Sequence, residues 1–323
     1  MGKRIIQGLT ILVLLLVVFN AVIFNAKHTK EGEHSSTSLQ ENDTKSEVAH
    51  ESDTKKETIH HEKHGIASDA VIAKQHENLD KNTHGKGYGP QSPRDIDLKK
   101  GDNKRIFNLS PDSKEMNLCN IHFHKNAEHK ASAFNVYAGN GDGAGYLSGY
   151  KYSGTLSGSE LIASDKEICP SNHGALFTGD TIEVHYVYSS ADVQPGATLG
   201  ACLSESIKNP QLRVETQVYV LVNDTKALDF MKLTQHGVKN GYHQALNIPT
   251  NTGRAVQYRG STTGPGYNEK ASPFQVSWSV RPQVAKVNIE TVGEWCQGNI
   301  FKEDHAHGVR NLVINKKLLS EIK

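Results

Sequence analysis

Short apolar runs separated by turn residues mark the chain from about residue 87 onward. The runs TIEVHYVY, TQVYVLV, FQVSWSV and NLVIN are rich in β-branched and aromatic residues, and clusters of Gly, Pro, Asn and Asp lie between them. Such runs are typical of β-strands. Helical periodicity is weak, so the pattern predicts a single, mainly β domain over residues 87–323.

The residues before this domain have a different pattern. Residues 5–24 are nearly all apolar and follow Lys3 and Arg4, which predicts a signal peptide or an uncleaved membrane anchor over residues 1–26. Residues 27–86 are almost entirely polar and predict a disordered linker, because too little apolar surface is present to offset the entropy of folding. The protein is expected to be exported, to the periplasm or the cell surface.

Charge and cysteine content narrow the class of protein. Lys and Arg number 36 against 35 Asp and Glu, so no electrostatic footprint for nucleic acid is present. The sequence has no G-x-G-x-x-G or P-loop pattern, which argues against a nucleotide-binding βαβ fold. In an exported protein, Cys119, Cys169, Cys202 and Cys296 favour two disulfides, and all three pairings remain open.

Two of the predicted strands carry the candidate chemistry. His122 and His124 in IHFHK point to one face of a strand, because side chains two positions apart share a face. Glu183 and His185 in DTIEVHYVY do the same on a second strand. Three neutral imidazoles can hold one metal ion, and Glu183 can accept a hydrogen bond from the ring of a ligand histidine. A Zn²⁺ held by three histidines keeps an open fourth position, where a bound water becomes more acidic. The pattern therefore predicts a site that generates hydroxide.

Four motifs in order resemble a known family. HFHKNAEH (122–129) is similar to the H-F-H-x-x-x-E-H signature of α-class carbonic anhydrases, and EVHYVY (183–188) resembles their E-x-H-x-V strand. GPQSPRDID (89–97) resembles their Q-S-P-x-D-I segment, and YRGSTTGPG (258–266) resembles their Y-x-G-S-x-T-T-P loop. With its long insert after the first motif and its tail, the chain is most similar to a δ-class carbonic anhydrase of bacterial type, over roughly residues 87–320.

The resemblance implies a fold, an activity and a cofactor. The fold would be a large, mostly antiparallel twisted β-sheet of the α-class type, with the metal at the base of a cone. The enzyme would hydrate CO₂ reversibly to bicarbonate and a proton, by attack of hydroxide bound to Zn²⁺. The zinc ligands would be His122, His124 and His185, and the substrate would be a small molecule.

The resemblance also implies roles for residues around the metal. Glu128 and a threonine would form a gatekeeping pair that orients the nucleophile. An ungapped alignment of this loop with the family motif through Pro265 selects Thr263 as that threonine. Aligning the pair of threonines selects Thr262 instead, so both residues remain candidates.

Further positions have supporting roles in this interpretation. His129 would join the hydrogen-bond network of Glu183, and Gln91 would brace a ligand strand. Val187 would face the pocket as an apolar wall for CO₂. The stretch between Asp97 and His122 lacks the N-x-G-H segment that supplies the proton shuttle of the α class, and His173 or His243 could serve instead. The second H-x-H pair, His305 and His307, is expected to have a structural or surface role.

Two other functions fit part of the pattern. A cupin also contains H-x-H-x-x-x-E, with the glutamate as a direct ligand of iron or manganese, but the flanking glycines of that motif are missing. An exported, non-enzymatic zinc-binding protein would explain the histidines, but it leaves Glu128 and the Thr loop without a role.

Overall fold

The computed structural model describes residues 66–323, which form a mainly β domain with few helices. The strands are β1 (Asn117–Lys125), β2 (Val136–Tyr137), β3 (Tyr150–Lys151), β4 (Thr181–Ser189), β5 (Leu212–Val222), β6 (His236–Lys239), β7 (Tyr242–Ala245), β8 (Val256–Ser261) and β9 (Gln275–Asn288). The helices are α1 (Asp69–Thr83), α2 (Phe230–Leu233) and α3 (Ile289–Cys296). Short 3₁₀ turns lie at Ser113–Glu115, Leu199–Cys202, Pro265–Tyr267 and Lys316–Leu318.

The main sheet has five strands in the order β1-β4-β5-β9-β8. Three of its four pairings are antiparallel, and the β5–β9 pairing is parallel. The prediction of a mainly β domain is therefore confirmed, with a sheet that is mixed. The pairs β2–β3 and β6–β7 form two separate small ladders.

The predicted strands are present with one exception. IHFHK lies in β1, TIEVHYVY in β4, TQVYVLV in β5 and most of FQVSWSV in β9. The run NLVIN (311–315) is not a strand, so that expectation is wrong. Its Val313 instead packs with Leu79 of α1 and with Leu318 and Leu319 in a small separate core.

The main sheet is buried on both faces, each of which packs into a hydrophobic core. One face carries Ile121, Phe123 and Tyr186 and packs against α2 and α3. The other face carries Val187 and Trp278 and forms a second core. The candidate site lies on this second face.

The helix α1 corrects the predicted domain boundary. Its residues belong to the segment predicted as a disordered linker over 27–86, yet they form 15 residues of α-helix. Leu79 is buried, and Gln75 Nε2 donates to Gly143 O at 2.6 Å. The folded unit therefore begins before residue 87. Leu79 is the one apolar side chain of α1 that is fully buried, so the polar sequence of this helix gave no clear periodic signal.

The other predictions for the N-terminal part concern earlier residues. The signal or anchor segment 1–26 and the first part of the linker, residues 27–65, lie outside the described residues. Within residues 66–323, no helix has both the length and the apolar content needed to cross a bilayer.

All four cysteines form disulfides, as the sequence predicted. Cys119 on β1 is bonded to Cys202, and Cys169 is bonded to Cys296 at the end of α3. The two bonds lie in different cores, one on each face of the sheet.

Candidate metal centre

The pairing of β1 with β4 brings the three predicted histidines together. In this antiparallel ladder His122 lies directly opposite His185, and His124 lies opposite Glu183. Residues opposite each other on paired strands share a face. One ring nitrogen from each of His122, His124 and His185 lies within 4.8 Å of the other two.

Hydrogen bonds fix the ring nitrogens of the two β1 histidines. His122 Nδ1 donates to Asn120 Oδ1 at 2.6 Å. His124 Nδ1 donates to the backbone carbonyl of Gly308 at 2.8 Å. Because a neutral imidazole carries one proton, each ring keeps its lone pair at Nε2. That atom of His124 is buried and has no hydrogen-bond partner among the described residues.

The third ring is fixed through its other nitrogen. His185 Nε2 donates to Glu183 Oε1 at 2.8 Å, which leaves the lone pair at Nδ1. This Nδ1 lies 3.2 Å from His122 Nε2. The three lone pairs therefore converge at one place. His185 contributes its Nδ1, whereas His122 and His124 contribute their Nε2 atoms.

The electrostatics of the three rings suit a metal ion. Burial lowers the pKa of His122 well below its usual value, lowers that of His124 to about 4, and lowers that of His185. All three rings are therefore neutral near pH 7 and able to ligate. Nitrogen donors in a group of three, with one buried lone pair unpartnered in residues 66–323, fit Zn²⁺.

Glu183 is the centre of a buried network behind the ligands. Besides His185, its carboxylate accepts from His129 Nδ1 at 2.7 Å and from the His129 backbone N–H at 3.0 Å. His129 Nε2 in turn accepts from the Tyr258 hydroxyl at 2.7 Å. Burial alone would raise the pKa of Glu183, but His129 and the hydrogen bond from His185 outweigh it and hold that pKa below its usual value.

Glu128 is buried beside this network but is not a member of the ligand group. Its Oε1 accepts from the backbone N–H of Arg310 at 3.0 Å. Its Oε2 has no hydrogen-bond partner within residues 66–323 and lies 3.9 Å from His185 Nε2, the ring nitrogen that faces Glu183. Burial raises the pKa of Glu128. A cupin would need this carboxylate on the metal, and the geometry does not place it there.

The two candidate threonines differ in their contacts. Both line the cavity above the histidines. The hydroxyl of Thr262 lies 2.5 Å from Ser272 Oγ and is engaged there. The sequence predicted that Gln91 would brace a ligand strand. Its side-chain oxygen instead accepts from the Ser272 N–H and from the Arg310 guanidinium, neither of which lies on β1 or β4.

A cavity of about 320 Å³ opens onto the three histidines. Val187 lines it, at the position where the sequence placed an apolar wall. Its apolar lining includes Val187, Leu199, Leu212, Val214, Val276 and Trp278. Such a lining suits a small nonpolar substrate.

Several residues of this centre were not predicted from the sequence. Asn120 lies two positions before His122, so the period-two rule could have found it. The carbonyl of Gly308 carries no side-chain signal. His307, for which a structural or surface role was expected, lines the cavity with its ring centroid 5.4 Å from that of His122. It also lies 2.5 Å from the carboxylate of Glu303, whose hydrogen bond outweighs the effect of burial and raises the pKa of His307.

Comparison with known proteins gives one family. The family model described as "Delta carbonic anhydrase" matches residues 113–291, which is more than half of the chain. The match includes all three histidines of the ligand group. No curated protein matches the sequence.

Solved structures of other carbonic anhydrases are distantly similar. The α-carbonic anhydrase from Thermovibrio ammonificans, in complex with the inhibitor sulfanilamide, is 12% identical, with 70% of this chain and 84% of that chain covered and a TM-score of 0.25. A hyperthermostable carbonic anhydrase from an active hydrothermal vent chimney is 14% identical, with 71% of this chain and 87% of that chain covered and a TM-score of 0.24. The α-carbonic anhydrase of Photobacterium profundum is 13% identical, with 71% of this chain and 88% of that chain covered and a TM-score of 0.24. These scores are too low for the likeness to bear on the present chain.

Proposed function

The chain belongs to the delta carbonic anhydrase family and is a carbonic anhydrase, an enzyme that interconverts CO₂ and bicarbonate; from this premise we propose that His122, His124 and His185 bind its catalytic Zn²⁺. The observation that carries the proposal is the convergence of three lone pairs from β1 and β4 within 4.8 Å. Each ring is held for this role by an acceptor at its other nitrogen.

Zn²⁺ in such a site would act as a Lewis acid and would lower the pKa of a coordinated water to about 7, as is known for carbonic anhydrases. The protein supplies the orientation of the ligands. The carboxylate of Glu183 holds His185 as the Nε2–H tautomer and increases the basicity of its Nδ1. Because Glu183 is also fixed by two donors from His129, the ring of His185 has little freedom to turn.

Glu128 and Thr263 are the proposed gatekeeping pair. Glu128 Oε2 has no partner within residues 66–323, whereas the hydroxyl of Thr262 is engaged with Ser272. A threonine hydroxyl that donates to a carboxylate can only accept from the attacking water, so that a lone pair of the water is directed at the carbon of CO₂. The apolar wall with Val187 then holds CO₂ against this lone pair without competing polar contacts.

The experiment measures zinc content and CO₂ hydration by stopped flow on the purified protein. We expect one tightly bound zinc per chain and loss of activity when a chelator removes it. His185→Ala should lose both metal and activity. His84→Ala is the matched control, since His84 lies at the end of α1 outside the ligand group and this variant should keep both.

Two results would contradict the proposal. Full hydration activity in metal-free protein would exclude the zinc site from catalysis. Several loosely bound ions per chain, unaffected by His185→Ala, would instead favour a metal-buffering role for the histidines.

We also propose that the enzyme works outside the cytoplasm, in the periplasm or at the cell surface. Support comes from two disulfides in the folded domain, which persist in oxidising compartments, and from the apolar run at residues 5–24. Fractionation of the native host should place the protein outside the cytoplasm. Recovery in the cytosolic fraction with reduced cysteines would contradict this.

A further inference from the structure

The side-chain amide of Asn120 decides how His122 presents its lone pair. Asn120 is 1% exposed, its Oδ1 faces His122 Nδ1 at 2.6 Å, and its Nδ2 donates to Gly196 O at 3.1 Å. An amide has one accepting and one donating end. If the amide turned over, its NH₂ group would face Nδ1 and favour the proton at Nε2, the atom that faces the metal site.

The bond to Gly196 therefore fixes the amide in the useful orientation. Gly196 lies in the loop between β4 and β5, which also supplies Thr198 and Leu199 to the cavity wall. The loop returns to β1 at the same point, since the Gly196 N–H donates to the carbonyl of Cys119 at 2.9 Å.

A disulfide closes this arrangement. Cys119 is bonded to Cys202, at the end of the 3₁₀ turn that follows Thr198. The β1–β4 register shifts between Leu118 and Asn120, so that Cys119 is the bulged residue. Bulges re-aim neighbouring side chains, and this one lies beside the amide that holds His122.

We propose that the Cys119–Cys202 disulfide is a positioning element for the metal centre: it holds the loop at Gly196, which orients the Asn120 amide and thereby keeps His122 in its metal-binding tautomer. Cleavage of this bond weakens metal binding, whereas cleavage of Cys169–Cys296 does not. The inference rests on the proposed zinc site at His122, His124 and His185.

The test is the zinc dissociation constant, measured by competition with a chelator. Cys119→Ala/Cys202→Ala should weaken zinc binding about 10-fold or more, the usual effect of losing a group that orients a ligand. Cys169→Ala/Cys296→Ala is the matched control. It removes the other disulfide, which spans a loop of comparable length (127 against 83 residues), and it should leave the constant within about twofold.

A double-mutant cycle tests the route through the amide. Asn120→Ala alone should weaken zinc binding by a similar factor. Added to Cys119→Ala/Cys202→Ala it should have little further effect, because both changes release the same ring. Equal losses for the two disulfides, or a full additive loss for Asn120→Ala, would overturn the proposal.

A measurement on the unaltered protein serves if the variants do not fold. A phosphine reductant cleaves the S–S bond of the zinc-loaded enzyme to two thiols and is itself oxidised to the phosphine oxide. One water supplies the oxygen of the phosphine oxide and the two hydrogens of the thiols. Zinc transfer to a chromogenic chelator should follow cleavage of Cys119–Cys202, identified by alkylation and mass spectrometry. Zinc retained after that cleavage would overturn the proposal. Absence of tight zinc in the starting protein would instead refute the zinc site itself.

Discussion

Replacement of Glu183 by glutamine tests whether the network behind the ligands sets metal affinity. The substitution keeps the shape of the side chain but removes its charge and turns one acceptor into a donor. Three donors converge on this carboxylate, from His185 Nε2, His129 Nδ1 and the His129 backbone N–H. An amide oxygen can still accept from the two rings, and its NH₂ group then faces the backbone N–H.

The cost follows from these contacts. A hydrogen bond to a charged group contributes about 1.5–3 kcal/mol and a neutral one about 0.5–1.5 kcal/mol, so weakening two bonds costs about 1 kcal/mol each. The buried backbone N–H left without an acceptor costs about 1–3 kcal/mol more. We therefore expect Glu183→Gln to lower the free energy of unfolding by about 3–5 kcal/mol. Zinc affinity should fall about 10–100-fold, or about 1.4–2.8 kcal/mol.

Chelator competition measures the affinity, and urea unfolding of the zinc-free protein measures the stability. Glu128→Gln is the matched control, because Glu128 is equally buried but lies 3.9 Å from His185 Nε2 and accepts from Arg310 instead. It should keep zinc affinity within about twofold while CO₂ hydration is impaired. Equal zinc affinities for Glu183→Gln and the unaltered protein would refute the reasoning.

Three further outcomes follow from the site. Thr263→Ala should lower kcat/KM for CO₂ about 100-fold with zinc retained, and Thr262→Ala should have a smaller effect; the reverse order in stopped-flow assays would reassign the gatekeeping hydroxyl. Because burial lowers the pKa of His124 to about 4, protons compete with the metal only below the usual range of histidine. Zinc should therefore remain bound at pH 6 and be released towards pH 4, as followed by dialysis and metal analysis. Zn²⁺ added back after chelation should restore hydration activity, whereas Mg²⁺, which prefers oxygen ligands, should not.

Local patterns in the sequence account for the strands and for the composition of the ligand group. His122, His124, Glu183 and His185 are each separated from a partner by two positions, and this period decides that members of a pair share a face. The same rule places Asn120 on the face of His122, although Asn120 was not among the predicted residues. The prediction of a strand at NLVIN was wrong, because its three apolar residues, 312–314, can pack equally well in a strand or against the polar helix α1.

The sequence alone therefore determined which residues could meet a metal, since side-chain direction along a strand depends only on local backbone geometry. The tertiary structure decided that they do meet, because the register that sets His122 opposite His185 depends on contacts between residues 63 positions apart. It also decided how each ring is held. A backbone carbonyl such as that of Gly308, or a loop tied back by Cys119–Cys202, acts through its position in space, which has no signature in the residue type.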